Sequence, residues 1–130
     1  MEEEDKIKAR PRVGIVNLER RRHPRFNVDL PIEYQRTTSA ACVSGRARNA
    51  SKGGLLVYLP EQVEIGQYLK MKVFFSSRAR LDAIEILGQV VWADFHLEKD
   101  WGDYRSGVKF LDISQEDLEK FGSFLKSLSQ

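Results

Sequence analysis

The residues with the clearest potential for chemistry lie in two short segments of the sequence. The first, "ERRRHPRF" at positions 19–26, places four arginines within eight positions. A guanidinium group is a planar fork of N–H donors that binds phosphate in a bidentate manner and stacks on aromatic faces. Pro24 restricts the backbone directly before Arg25, which lowers the entropic cost of gripping a ligand there. The segment is a candidate clamp for a compact anion, with a solvated charged tail and a nucleic-acid contact as alternatives.

The second segment is "NASKGG" at positions 49–54. Asn49 and Ser51 are two residues apart, so their side chains leave the same face if both lie on a strand. Together they present an amide and a hydroxyl, which can hydrogen-bond to the edge of a nucleobase. Gly54 has no Cβ and would let a ligand approach the backbone closely. The same residue types also form ordinary β-turns, so this segment is not specific by itself.

The formal net charge of +2 conceals an uneven distribution of charge along the chain. Between positions 6 and 25 only Glu19 is acidic, whereas eight residues are basic: Lys6, Lys8, Arg10, Arg12, Arg20, Arg21, Arg22 and Arg25. The rest of the chain is consequently acidic overall. A basic arm on a mildly acidic body indicates an anionic partner that contacts the arm rather than the whole surface.

The scarcity of cysteine and histidine excludes several classes of chemistry. Cys42 is the only cysteine, so no internal disulfide can form, and this usage is typical of a reducing, cytoplasmic setting. With His23 and His96 as the only histidines, no zinc or other soft-ligand metal site can be assembled. Neither histidine has an evident serine or cysteine partner within a motif. We therefore predict no catalytic residues, no metal and no cofactor.

The sequence also lacks signals for membrane insertion or secretion. The N-terminal segment is charged throughout and has no apolar core of a signal peptide. No stretch approaches the roughly 18 apolar residues that span a bilayer. Trp92 is predicted to lie in the core or at the rim of the fold. Trp101, which lies among charged residues, is predicted to be partly exposed in a hairpin loop.

Segments with the alternating pattern of β-strands recur at regular spacing through the middle of the chain. In the first of them, Val28, Leu30, Ile32 and Tyr34 alternate with polar residues, and Pro31 predicts an edge or a bulge. Five further strands are predicted within "ACVSGRARNAS", "LLVYL", "YLKMKVFF", "AIEILGQVVWADF" and "YRSGVKFLDI", the fifth strand of the chain being bent at Gly88. This spacing predicts an antiparallel all-β barrel or sandwich.

The last part of the sequence has the pattern of a single helix of about 15 residues. Ser114 is a suitable N-cap, and Glu116 and Asp117 in the first turn interact favourably with the helix dipole. The apolar residues at helical spacing are Leu118, Phe121, Leu125 and Leu128, with Phe124 alongside. An amphipathic helix after six strands is expected to pack against the barrel.

Taken together, the two polar segments resemble the PilZ domain, a bacterial receptor for cyclic di-GMP. Arg21 and Arg25 match R-x-x-x-R, and Asn49, Ser51 and Gly54 match the following [DN]-x-S-x-x-G. The stretches "LPIEY", "GLLVYLP" and "SGVKFLDIS" are also similar to the family, so the resemblance covers roughly residues 20–128. It implies a six-stranded antiparallel β-barrel with a C-terminal helix. The predicted domain is 20–130, preceded by a flexible basic arm at 1–19.

The resemblance implies a receptor or adaptor rather than an enzyme. The implied contacts to cyclic di-GMP are Arg20, Arg21, Arg25, Asn49, Ser51 and Gly54. In such domains the arginine segment wraps over the barrel and encloses the ligand, and this change would signal to a partner protein. An arginine directly before R-x-x-x-R, which is Arg20 here, favours binding of two stacked ligands in the family. A guanine also fits an arginine fork, because its O6 and N7 atoms are both acceptors.

Two other functions remain possible on the sequence. The first is a nucleic-acid-binding module that uses the basic arm on a small β-barrel. Such modules usually interleave aromatic and basic residues on one sheet face, whereas positions 20–25 contain no aromatic residue. The second is a PilZ-like adaptor that has lost its ligand, against which the intact motifs argue. The sequence therefore favours cyclic di-GMP over nucleic acid as the partner.

Overall fold

Six antiparallel strands close on themselves to form a barrel, and one helix follows them. The computed structural model describes residues 23–95 and 104–129. In order around the barrel the strands are β1, β2, β3, β6, β5 and β4. This confirms the predicted barrel with a C-terminal helix. The elements are β1 (Phe26–Arg36), β2 (Val43–Ala50), β3 (Gly54–Leu59), β4 (Tyr68–Ser77), β5 (Arg80–Phe95), β6 (Tyr104–Ile113) and α1 (Gln115–Ser127).

The alternation in β1 sets which of its side chains enter the barrel. Leu30, Ile32 and Tyr34 are buried, and the residues between them are exposed, as their spacing predicts. The ladder between β1 and β4 begins at Ile32, one residue after Pro31. The register between β1 and β2 shifts between Asn27 and Leu30. Pro31 therefore lies next to an irregular part of the sheet, where its missing N–H is tolerated.

The pairing of β5 with β6 contains two irregularities, with the extra residue on β6 in the first and on β5 in the second. The register shifts between Leu87 and Gly88, at the predicted bend. A second shift between Val90 and Trp92 was not predicted from the sequence. An extra residue at such a bulge disturbs the alternation of faces. Val91 and Trp92 are consequently both exposed, although they are consecutive.

Helix α1 begins with the predicted cap and presents most of the predicted face. The Ser114 hydroxyl accepts a hydrogen bond from the Asp117 backbone N–H at 3.1 Å. Phe121, Phe124 and Leu125 are buried in the core. Leu128 lies one residue beyond the helix, which has 13 residues rather than about 15, and its side chain is exposed.

The helix is attached to the barrel by aromatic packing and by contacts of charged side chains. The Phe75 ring lies 4.7 Å from Phe124 and 5.8 Å from Phe121, measured between ring centroids. On the surface, Lys120 Nζ lies 3.1 Å from Asp82 Oδ1. A hydrogen bond from the Ala83 N–H and the Lys120 ammonium lower the pKa of Asp82, and the bond to Asp82 raises the pKa of Lys120. In the described part of the chain, no helix is long and apolar enough to cross a membrane.

Candidate functional site

The antiparallel pairing of β1 with β2 brings the two polar motifs together. Asn27, at the start of β1, is opposite Asn49, near the end of β2. Arg25, just before β1, therefore reaches the Asn49 side chain although 24 positions separate them. Its Nε–H donates a hydrogen bond to Asn49 Oδ1 at 2.6 Å. The geometry of an antiparallel strand pair thus joins one residue of the arginine motif to one residue of the second motif.

A second contact orients the Asn49 amide. Asn49 Nδ2 donates to Asn27 Oδ1 at 3.4 Å, a long hydrogen bond at the outer face of the barrel. The Asn49 side chain is half-buried, whereas Arg25 is exposed. Asn49 is therefore positioned by Asn27 and in turn holds the Arg25 guanidinium through its Nε–H. Asn49 is expected from its residue type to hydrogen-bond the edge of a base, and in the structure its side-chain oxygen also contacts Arg25.

Ser51 lies in the turn between β2 and β3 and not on a strand. Strand β2 ends at Ala50, so the argument that Asn49 and Ser51 share one strand face does not apply. The Ser51 side chain is only 4% exposed, and its Oγ accepts a hydrogen bond from the Gly53 N–H at 3.1 Å. The Ser51 N–H donates to Gly54 O at 2.9 Å. Ser51 thus fixes the turn that forms one side of the site.

Gly54 is required by strand packing, a reason that the sequence did not reveal. A Cβ at this position would lie 2.5 Å from the backbone oxygen of Val108 in β6. The space that glycine leaves open is therefore filled by the neighbouring strand. Gly54 also lies at the surface of the cleft described below, so its backbone still faces the site.

Gly54→Ala is expected to destabilise the barrel by ~1–3 kcal/mol, because the backbone of β6 would have to move. Gly53→Ala is the matched control, since a Cβ there meets a His23 ring atom at 3.1 Å and that side chain can turn away. Urea denaturation of both variants measures the difference. Equal stability of the two variants would contradict the packing role of Gly54.

Three of the motif residues, Arg25, Ser51 and Gly54, border a surface cleft of about 240 Å³, and Asn49 contacts Arg25. The cleft lies between the β2–β3 turn and strands β5 and β6, and its lining includes Arg25, Ser51, Gly54, Trp92, Gly107 and Lys109. Trp92, Gly107 and Lys109 were not recognised from the sequence as site residues. No local pattern marks them, because they reach the cleft only through the pairing of β3 with β6 and of β6 with β5.

A larger groove of about 790 Å³ lies elsewhere on the barrel and contains none of the predicted site residues. Its charges alternate in sign across neighbouring strands. Lys72 on β4 is opposite both Glu33 on β1 and Glu85 on β5, and its Nζ lies 3.8 Å from Glu85 Oε2. A surface on which cations and carboxylates neutralise each other does not favour an anion. The smaller cleft is therefore the better candidate site.

Several predicted features lie outside the described residues. They include the arm at 1–19, Arg20, Arg21 and the loop that carries Trp101. Of the predicted ligand contacts, the structure places Arg25, Asn49, Ser51 and Gly54 at one end of the barrel. Among the described residues, no group of three or more histidine, cysteine, aspartate or glutamate side chains is placed to hold a metal ion.

The fold and the two adjoining motifs define a class of small six-stranded barrels in which an arginine-containing segment directly precedes the first strand. The family model described as "PilZ domain" matches residues 19–127. The chain belongs to the PilZ domain family. It has no significant match among curated protein sequences.

Solved structures with the same fold include three from two bacteria. The Bacillus subtilis inhibitor of motility, MotI, has a TM-score of 0.69 and 16% identity, covering 85% of this chain and 52% of its own. Escherichia coli YcgR in complex with c-di-GMP has a TM-score of 0.67 and 16% identity, covering 85% and 46%. The isolated PilZ domain of YcgR with c-di-GMP scores 0.64 at 16% identity, covering 85% and 92%. The chain thus spans about half the length of MotI and of full YcgR.

Proposed function

We propose that this protein is a receptor for cyclic di-GMP, which binds at the cleft where Arg25 meets Asn49. The observation that carries the proposal is the 2.6 Å hydrogen bond from Arg25 Nε to Asn49 Oδ1, which joins the two motifs at one surface. Membership of the PilZ family supports the proposal. So do similar folds solved with c-di-GMP, among them YcgR of E. coli and MrkH of K. pneumonia.

The chemistry of the arginines suits this ligand. Asn49 engages Nε of Arg25, and the other four N–H donors of that guanidinium are on Nη1 and Nη2. Those two groups can contact a phosphate or the O6 and N7 acceptors of a guanine. In the proposal Arg20 and Arg21 approach the ligand from the same segment. Two phosphates in one compact ligand require several cations close together.

The other motif residues shape the site in this proposal. Ser51 fixes the β2–β3 turn through its bond from the Gly53 N–H, and the Gly53 carbonyl accepts from the Phe110 N–H at 2.9 Å. The turn is thereby held by a bond within itself and by a hydrogen bond from β6. Gly54 allows β3 to lie close to β6 beside the cleft. A rigid wall lowers the entropic cost of binding.

Calorimetric titration of the full chain with cyclic di-GMP tests the proposal. We expect low-micromolar affinity or better, with no comparable heat from GTP or single-stranded DNA. GTP has the same base and more phosphate, so it controls for general anion binding. Absence of binding by cyclic di-GMP would overturn the proposal, and tight binding of single-stranded DNA would favour the nucleic-acid module instead.

The proposal includes a conformational change that passes the signal to a partner protein without any chemical reaction. Ligand would neutralise the arginines and hold residues 19–26 on the barrel, creating a new surface. We expect hydrogen exchange of backbone amides in residues 19–26 to slow at saturating cyclic di-GMP. Unchanged exchange across this segment would contradict the switch while leaving the binding proposal intact.

Arg20 is expected to set the number of ligands bound. Two stacked cyclic di-GMP molecules bring four phosphates together, and their repulsion must be offset by nearby cations. We expect the wild type to bind two ligands per chain and Arg20→Leu to bind one. Calorimetry measures the number of ligands bound per chain directly. Arg22→Leu is the control, because it removes an equal charge on the other side of Arg21, the first residue of the motif. A ratio of one for the wild type would rule out the stacked pair.

A further inference from the structure

An apolar side chain is turned out to the surface at the first irregularity between β5 and β6, outside both motifs. Leu111 on β6 has no opposite residue on β5, because its neighbours Phe110 and Asp112 are opposite Gly88 and Leu87. An extra residue of this kind re-aims its side chain. Leu111 is 44% exposed, and Asp112 beside it is exposed as well. The bulge therefore adds an apolar group to the outer face of strands β4, β5 and β6.

Two rows of outward side chains cross this outer face, one on either side of Leu111. In the first row, Lys70 on β4 is opposite Leu87 on β5, and Leu87 is opposite Asp112 on β6. Lys70 and Asp112 are exposed, and in the part of the chain that the structure describes neither of them forms an ion pair. The first row therefore presents a cation, an apolar group and a carboxylate in that order.

The second row has an aromatic ring at one end and a cation at the other. Tyr68 on β4 is opposite Gln89 on β5, and Gln89 is opposite Lys109 on β6. Tyr68 is 47% exposed, and Lys109 is also exposed. Within residues 23–95 and 104–129, Lys109 forms no ion pair. We call the two rows together with Leu111 the β4–β6 face.

We infer that two copies of this chain associate through the β4–β6 face as a two-fold dimer. A two-fold axis that lies in the contact plane and runs parallel to β5 brings the β4 side of one protomer against the β6 side of its partner. Lys70 of one protomer then meets Asp112 of its partner, and Leu87 meets Leu87. Strand directions are preserved by this rotation, as in the aligned packing of two sheets. The inference is independent of the proposed binding of cyclic di-GMP.

The second row fits the same symmetry. Tyr68 of one protomer meets Lys109 of its partner, and an ammonium group over a tyrosine ring is a favourable contact. Leu111 lies between the rows and meets β4 of the partner between Tyr68 and Lys70. A two-fold axis perpendicular to the strands would instead bring Lys70 against Lys70, and like charges repel. The mixed charge of this face is thus complementary to a second copy of the same face.

Sedimentation equilibrium of the full chain without ligand tests the dimer. Only two short rows and one bulged residue form the contact, and small interfaces belong to weak, reversible complexes. We therefore expect a monomer–dimer equilibrium with a dissociation constant below about 1 mM. A wild-type protein that stays monomeric up to about 1 mM would overturn the inference.

Leu111→Asp tests the apolar centre of the face. A carboxylate at this position loses its water in the dimer, so we expect the dissociation constant to rise about tenfold or more. Leu81→Asp is the matched control, because Leu81 on β5 is 77% exposed and belongs to neither row. Thermal unfolding checks that both variants remain folded. Equal weakening of the dimer in the two variants would overturn the assignment of this face.

A mixture of two charge-reversed variants tests the pairing of Lys70 with Asp112. In a dimer, Lys70→Glu places carboxylates opposite each other, and Asp112→Lys places ammonium groups opposite each other. We expect each variant alone to dimerise at least about threefold more weakly than the wild type. In the mixture both contacts again join opposite charges, so we expect a heterodimer at least as stable as the wild-type dimer. Sedimentation velocity with one variant fluorescently labelled detects the heterodimer.

Lys126→Glu replaces Lys70→Glu in the control mixture with Asp112→Lys. It makes the same change of charge at an exposed position on α1, outside the β4–β6 face. We expect much less heterodimer in this mixture, because Lys70 of the Lys126→Glu protein still meets an ammonium group. Absence of a heterodimer from Lys70→Glu and Asp112→Lys, or an equal amount in the control mixture, would overturn the inference.

Discussion

Arg25→Ala is expected to weaken the binding of cyclic di-GMP by about 30- to 150-fold, which corresponds to ~2–3 kcal/mol. The variant loses a charge-assisted contact to the ligand. It also leaves Asn49 Oδ1 without the hydrogen bond that it accepts from the Arg25 Nε–H. Arg25 is exposed, so the barrel is expected to remain folded. Calorimetry measures the affinity, and thermal unfolding checks the fold. Arg21→Ala is expected to cause a loss of similar size.

Two further variants separate the geometry of Arg25 from its charge. Arg48→Ala removes an equal charge from β2, where the guanidinium lies 5.6 Å from the Tyr58 ring centroid and does not line the cleft. We expect a change of no more than about threefold there. Arg25→Lys keeps the charge but loses the planar fork, and we expect it to resemble Arg25→Ala. A wild-type affinity in Arg25→Ala, or an equal loss in Arg48→Ala, would contradict the assignment of Arg25.

Phe121→Ala is expected to lower the free energy of unfolding by ~3–5 kcal/mol, the largest effect on stability that we predict. The Phe121 side chain is fully buried, and its ring lies within 6.3 Å of those of Phe75, Phe110 and Phe124, measured between centroids. Removing it leaves a cavity between the helix and the barrel. Urea or guanidinium denaturation at equilibrium measures the loss.

Leu128→Ala is the control for the Phe121 variant. Both residues belong to the apolar pattern of the helix, but Leu128 is 43% exposed and lies at the C-cap. We expect a loss of less than about 1 kcal/mol for Leu128→Ala. Similar losses of stability in the two variants would contradict the packing of the Phe121 face of the helix against the barrel.

The strands and the helix were predictable because their signals are local. Alternation of apolar residues at Leu30, Ile32 and Tyr34 shows which side of β1 is buried, and this follows from the two-residue period of any strand. The Ser114 cap marks the start of the helix through a bond within its own first turn. Leu128 departs from the pattern because burial also depends on where the helix ends relative to the barrel.

The candidate site was predictable only in part. Residue types and spacing singled out Arg25, Asn49, Ser51 and Gly54, and the structure brings these four to one end of the barrel. The spacing could not show what each residue contacts. Ser51 bonds within its turn, and Gly54 accommodates the backbone of Val108. Both contacts depend on where β2 ends and on how closely β3 approaches β6.

The sequence by itself determined the number of strands, the terminal helix and the pair of motifs, since these depend on periodicity and short-range spacing. Only the tertiary structure decided that Arg25 contacts Asn49 and that the Trp92 ring covers Gly107. Those contacts follow from strand register and from the bulge at Val90–Trp92, which are set by pairing between distant segments. A shift of one position in that pairing would move every side chain to the other face of its strand. The composition of the cleft is therefore a property of the closed barrel.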